Sequence, residues 1–467
     1  MGEEEIVSRL MYLAHLYKIR YLLLLELSLL AVFAIFELVP FLILLSLILL
    51  VIIVAVIFKV PVIAIHILIF SILIDAIIPF KNISKGPTLL IEEALFFLFL
   101  GVFTIKYFQN IDDHIKIPRV IIFWIPFLLW SLPVGLLVAV EKLRILVFWK
   151  NYFAGFFTFL LVYYSVKNKT QLKSLIFALI IWGLFLSLIE FKILLDLGGF
   201  TSGIIGLYFK KNLLAVSWGR SNYLASFFVI IIPISIGYLF YIKSRKLKIF
   251  VATALIIMAF AMIFTLSRGG ILALLLALLL FSFRAFKART LFPFLSLTAI
   301  LIVVILLNPL TQVIIQSVSS LETSRSVYSR INFYEDTWNA FLNNPIGGVG
   351  FGNLSFYSTF ILAKQASSSA HNIILGMLGE VGIIGAIFFF SILGSIVLKA
   401  YKDFKYEVEE SLKLLRWSFF TSIIGAILHS LVEPTFEGFQ FSIMFWTVVA
   451  VCLNLHHLKN PVASIDK

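Results

Sequence analysis

Apolar runs of about twenty residues recur from one end of this 467-residue chain to the other, and a run of roughly that length crosses the ~30 Å hydrocarbon core of a bilayer as an α-helix. No series of short alternating strands and turns accompanies them, which excludes a β-barrel. Backbone in lipid must satisfy its own polar groups, and helices are the remaining solution. Charged residues make up 13% of the chain, roughly half the share of a soluble domain. The sequence therefore predicts an all-α polytopic membrane protein of about 12–14 transmembrane helices.

Fourteen spans are predicted, near residues 22–38, 40–58, 61–80, 88–106, 119–139, 147–166, 171–194, 222–242, 248–266, 269–286, 291–307, 372–398, 413–432 and 438–457. The first two lie so close together that twelve or thirteen is the alternative count. The stretch "MGEEEIVSRLMYLAHLYKIR" (1–20) carries no small-residue cleavage pattern, so the first run is read as a retained helix. With the N-terminus in the cytoplasm, 24 of the 37 Lys and Arg fall on the cytoplasmic side, including "KSRKLK" (243–248) and "RAFKAR" (284–289). That bias favours this orientation. It also gives the net charge of +13 a membrane origin and removes any need for a nucleic-acid partner. The single Cys452 permits neither an intrachain disulfide nor a cysteine metal site.

Two outward segments stand out by length, 195–221 and 308–371. The second is a loop subdomain within one membrane domain, 1–467. It opens on Asn308-Pro309, a helix-start pair, with Leu310, Val313, Ile314, Ser317 and Leu321 following at helical spacing. Val327, Ile331, Tyr334, Trp338 and Phe341 form a second stripe that stops at Asn344-Pro345. Two short amphipathic helices at the membrane surface, or two ordinary helices covering the bundle, both fit this pattern.

Several polar residues sit where topology alone would not put them. Arg268, in "TLSRGG", lies between two apolar runs with almost no loop. A guanidinium there either reaches headgroup phosphates or sits in a polar cavity. Arg220 precedes a helix start, where the macrodipole disfavours a cation, and Lys210 and Lys211 share its loop. Arg325 and Arg330 lie on the amphipathic segment as candidate substrate contacts, although Arg330 is expected to face water. His371 and Asn372 open the run "SSSAHNIILGMLGEVGIIG". A histidine there either caps a helix or acts as a base near neutral pH. His429 and Glu433, in "LHSLVEP", are either site partners or ordinary helix-end groups. "GGVGFG" (347–352) has spaced glycines but neither a preceding strand nor a following helix, so it is read as a flexible outer loop and not a dinucleotide fingerprint. "DDH" (112–114) has no partner that would make it a metal site.

Five segments, in order, resemble the O-antigen ligase and O-antigen polymerase superfamily of bacterial membrane glycosyltransferases. They are "SNYLASFFVIIIPI" (221–234), "TLSRGGILALLLALLL" (265–280), "NNPIGGVGFGNLSFY" (343–357), "SAHNIILGMLGEVGIIG" (369–385) and, more loosely, "LHSLVEPTFEGFQFSIMFW" (428–446). The resemblance covers about residues 205–455. It implies a GT-C-like fold in the cytoplasmic (inner) membrane with an outward-facing site. The implied reaction is metal-independent, cofactor-free and inverting. A glycan passes from a polyprenyl-pyrophosphate carrier to a glycan or lipid A core acceptor, in lipopolysaccharide or other polysaccharide biosynthesis. The family's essential Arg and His correspond to Arg268 and His371. Its second Arg corresponds to Arg220, with Lys210 or Lys211 as substitutes because the spacing departs from the usual. A polymerase acting on carrier-linked repeats is the alternative within the family. Glu26, Asp75 and Glu190, each inside an apolar span, leave a secondary transporter or lipid flippase as the alternative of another class.

Overall fold

A computed structural model describes residues 54–57, 59–77, 91–109, 118–198, 213–214, 221–285, 324–357 and 370–458. Its elements are helices and short 3-10 turns, with no strand among the described residues. In chain order the helices are α1 Val62–Ile77, α2 Ile91–Gln109, α3 Trp124–Val138, α4 Lys142–Ser165, α5 Lys169–Asp196, α6 Ser221–Tyr241, α7 Arg245–Phe264, α8 Arg268–Ala285, α9 Ser324–Asn343, α10 Ile373–Lys405, α11 Glu410–Ser430 and α12 Phe439–Leu453. Seven of these, α4–α7, α10, α11 and α12 with the 3-10 turn that continues it to Leu458, are long and apolar enough to cross a membrane. The predicted spans near 22–38 and 291–307 and most of that near 40–58 lie outside the described residues, as does the stripe at 310–321.

Caps begin several helices where the sequence predicts spans. Asn168 Oδ1 accepts from the Gln171 N–H at 3.0 Å, while Gln171 Oε1 accepts from the Lys167 N–H at 2.8 Å. These bonds satisfy donors that a helix start otherwise leaves unpaired. Asn372 caps α10 in the same way, its Oδ1 accepting from Ile374 and Leu375 at 2.8 and 3.1 Å.

Helices α6 and α12 are apolar on nearly all sides and accordingly lie inside the bundle. α6 runs along α11, and α12 along α4, while Trp446 of α12 meets Trp124 at the start of α3 with ring centroids 4.7 Å apart. In lipid, helices associate through close packing and polar contacts, since lipid tails are as apolar as leucine. The Ser422 hydroxyl donates across to the Ile230 carbonyl at 2.8 Å, and the Trp417 indole to Leu280 and Phe281 at 3.2 Å. Arg416 and Glu407 pair at 2.9 Å in the turn between α10 and α11.

This packing brings the starts of α6, α8 and α10 and the end of α11 to one end of the bundle. Helix α9 lies across the first turns of α10, with Asp336, Thr337 and Ala340 buried beneath it. Ile331, Trp338 and Leu342 are exposed on α9, the arrangement of an amphipathic helix at a membrane surface.

Candidate active site

His371 stands immediately before the cap of α10 and has φ +49°. Leu266, two residues before Arg268, has φ +51°. These are the two non-glycine residues with positive φ among the described residues. Such backbone costs about 1–2 kcal/mol, and it persists where the surroundings hold it and often marks a functional site. The "TLS" turn is held by Thr265, which donates its hydroxyl to the Met262 carbonyl at 2.8 Å and accepts from the Ser267 N–H at 3.3 Å. Ser267 Oγ in turn accepts from the Gly270 N–H at 3.2 Å. Arg268 is thereby fixed as the first residue of α8, exposed, with no hydrogen-bond or ion-pair partner among the described residues.

Glu433 is the centre of the site. It follows α11 in a turn stopped by Pro434, and its carboxylate is buried. Three side chains meet Oε2: Asn222 Nδ2 of α6 at 2.9 Å, Arg330 Nη2 of α9 at 3.6 Å and, just before α10, His371 Nδ1 at 3.7 Å. Burial pushes the Glu433 carboxyl pKa up, but His371, His429 and Arg330 outweigh it and hold the value below the ordinary carboxylate range. Arg330 and Phe333 share a face of α9, three residues apart, and the Phe333 ring lies 5.9 Å from that of His371. The imidazole thus turns its Nδ1 side toward a carboxylate, an arrangement that orients a histidine ring.

Gly269 places α8 against the same turn, where a Cβ would stand 2.6 Å from Val432 Cγ2 and 3.8 Å from His429 Cδ2. Three helix N-termini, those of α6, α8 and α10, therefore surround the 429–433 turn. Each brings the positive end of its dipole, the setting in which proteins bind phosphate groups.

The structure thus unites His371, Arg330, His429 and the Arg268 turn. His429 is buried, without a hydrogen-bond partner among the described residues, and lies behind Gly269. The Asn372 side-chain oxygen is engaged in capping α10. Arg220, Lys210 and Lys211 lie outside the described residues, though Ser221 and Asn222, just after Arg220, adjoin the site. Arg325 falls on α9, its side chain not described. Asn222, on α6, belongs to the site and had no separate signal in the sequence.

Helix α10 is broken within its first third. Gly382 has φ +67° and ψ −175°, a region open essentially to glycine alone. Backbone groups freed by such a break in a membrane protein need partners, and the "GGVGFG" segment, with Pro345 before it and Trp130 of α3, supplies them. Val349 and Gly350 donate to the Gly379 and Glu380 carbonyls at 2.9 and 2.8 Å, Ile383 donates to the Pro345 carbonyl at 2.8 Å, and the Trp130 indole donates to the Val381 carbonyl at 3.2 Å. The Gly352 N–H reaches Glu380 Oε1 at 2.9 Å. The segment is thus no flexible loop. It is a clamp, itself tied to the start of α4 by Arg144, which donates to Ser355 Oγ at 2.8 Å. The clamp holds the short half-helix that carries His371. A Cβ at 382 would overlap the Ile346 carbonyl. Gly382→Ala is expected to combine backbone strain of about 1–3 kcal/mol with overpacking of about 1–3 kcal/mol. Thermal unfolding in detergent should show a clear loss of stability, and equal melting of variant and wild type would contradict the clamp.

Fold and site together define a helical membrane protein with a charged, N-terminus-rich centre at one end of its bundle. Residues 253–390 match the family model described as O-antigen ligase, in accord with the resemblance drawn from the sequence. The matched stretch includes Arg268, Arg330, His371 and both halves of the clamp, and leaves out Asn222, His429 and Glu433. Over 129 residues the chain is 22% identical to the teichuronic acid biosynthesis protein TuaE of Bacillus subtilis (strain 168), an alignment covering 27% of this chain and 26% of that protein.

Proposed function

We propose that the protein is a membrane glycosyltransferase of the O-antigen ligase type, moving a glycan from a polyprenyl-pyrophosphate carrier to an acceptor hydroxyl at the outer face of the cytoplasmic membrane. The observation that carries this reading is the meeting of His371 with Glu433 beside the Arg268 turn, partly within the family-matched stretch. In this reaction the acceptor hydroxyl gives its proton to His371 Nε2 and its oxygen attacks the anomeric carbon. The bond from that carbon to the pyrophosphate oxygen breaks on the opposite face, inverting the centre. The bonding electron pair leaves with the pyrophosphate. Arg268 and the surrounding helix N-termini stabilise that charge, and Glu433 stabilises the imidazolium that forms. The same site and the relative named for teichuronic acid biosynthesis also fit a second reading, a polymerase joining carrier-linked repeats.

Purified protein, lipid-linked glycan and separate acceptors test both readings. Glycan on a fixed acceptor supports a ligase, and elongated carrier-linked product supports a polymerase. No transfer to either acceptor from an otherwise folded protein would overturn both. With arginines in the charge-stabilising role, transfer is expected to survive EDTA. Complete loss, restored by Mg²⁺ or Mn²⁺, would contradict the metal-independent mechanism.

Glu433→Gln is expected to lower turnover by about 10–10³-fold, part of the 10²–10⁴ that a positioned base contributes, with KM little changed. The carboxyl pKa is lowered in the folded state, so its contribution to stability is complete above the ordinary carboxylate range. It is lost only as pH falls through the lowered value. The melting difference between wild type and Glu433→Gln should therefore vanish in acid. A difference that persists unchanged there would show that Glu433 acts by packing alone.

A further inference from the structure

At the end of the bundle opposite His371, a cleft of about 930 Å³ opens between the 3-10 turn Arg119–Phe123, the end of α4, the last turns of α10 and the end of α12. Its walls are of two kinds. Ile122 and Leu398 are largely exposed apolar side chains, with Leu453 between helices beside them. Arg119 and Lys402, on two separate elements, are exposed and charged.

The other charges facing the cleft are matched. Arg416 pairs with buried Glu407 at 2.9 Å, and Lys399 pairs with Asp403 one turn along α10. Arg119 and Lys402 have no acidic partner among the described residues. The cleft therefore carries two unmatched positive charges directly beside exposed apolar surface. A soluble anion would answer the charges and make no use of the apolar wall of Ile122 and Leu398. An uncharged lipid would cover the apolar wall and leave the charges unanswered. A ligand with a phosphate and an acyl chain answers both, and basic pockets between membrane helices are recurrent sites for anionic lipid headgroups.

We propose that this cleft binds one anionic glycerophospholipid, its phosphate held by Arg119 and Lys402 and an acyl chain laid along Ile122 and Leu398. The site is separate from the His371 centre, at the other end of the broken helix α10, and does not rest on the glycosyl-transfer reading.

The test is native mass spectrometry of the full chain, delipidated in neutral detergent and titrated with dioleoyl-phosphatidylglycerol or dioleoyl-phosphatidylcholine. Wild type is expected to retain one phosphatidylglycerol under activation that strips phosphatidylcholine. The double variant Arg119→Ala/Lys402→Ala should retain it roughly thirtyfold less well, the effect of losing two such charges. Arg119→Lys, which keeps the charge, should lose little. Leu398→Trp should also weaken retention, because it fills the apolar wall without altering charge, and it decides the matter if the double variant does not fold. Size exclusion and lipid-free melting report on folding. Equal retention by wild type and the folded double variant would overturn the proposal. So would equal retention of the two lipids, or displacement of phosphatidylglycerol by inorganic phosphate, which would mark a site for a soluble anion.

Discussion

His371→Ala is expected to abolish glycan transfer while leaving the carrier bound. In the proposed reaction the imidazole acts on the acceptor proton, so its contribution is made in the transition state and hardly at all in the carrier complex. A positioned general base contributes roughly 10²–10⁴-fold, and single-turnover transfer should fall by that factor. Carrier affinity should stay within a few-fold. The geometry sharpens the expectation, because Nδ1 faces Glu433 Oε2 at 3.7 Å, which fixes the ring whose Nε2 the proposed reaction uses. Alanine keeps the Cβ that makes the φ of +49° at this position costly, so the substitution relieves little strain and need not stabilise the fold. His371→Gln, which keeps a donor but cannot take the proton, should be as slow as the alanine variant. Loss of carrier affinity in a folded His371→Ala protein, as deep as the loss of transfer, would reassign His371 as a phosphate ligand.

The membrane helices were legible because their signal is long and local. Predicted spans at 171–194, 222–242 and 413–432 correspond to α5, α6 and α11, with ends shifted by a few residues. Asn372 as a helix start was equally plain. Most of the site was less legible, since it is made by contacts between distant residues. Glu433 lies 62 residues from His371 in the chain and serves side chains from α6, α9 and the start of α10. In the sequence it is one acid before a proline at a helix end, a pattern shared with many surface turns. Its burial, which gives it meaning, is a property of the packed bundle. Arg330 was expected to face water, and its ion pair with Glu433 at 3.6 Å follows from α9 folding across α10. The break in α10 left a clearer trace, the glycines 379, 382 and 385 in one apolar run. Its partner segment, 347–352, left only spaced glycines, whose purpose depends on the backbone they approach.

Arg268→Ala is expected to weaken carrier binding and slow transfer together, in contrast to His371→Ala. A guanidinium beside a pyrophosphate attracts the charge already present in the bound carrier and attracts more as the anomeric bond breaks. Its loss is therefore felt in the ground state and in the transition state. Hydrogen bonds to charged groups contribute about 1.5–3 kcal/mol each, so affinity should fall roughly 10–150-fold, with a further fall in single-turnover rate. The structure makes the comparison clean. Among the described residues Arg268 has no acid to leave unpaired and no helix to hold through an ion pair, and a cation at the start of α8 opposes the helix dipole. Its removal should accordingly leave melting unchanged or slightly raised. Arg268→Lys should restore only part of the function, because an ammonium supplies the charge without the planar fork that grips two phosphate oxygens. A folded Arg268→Ala protein with undiminished carrier affinity and transfer would show that the guanidinium only reaches for lipid headgroups. Charge stabilisation would then have to come from the helix N-termini around Glu433 and from the basic residues of the 195–221 segment.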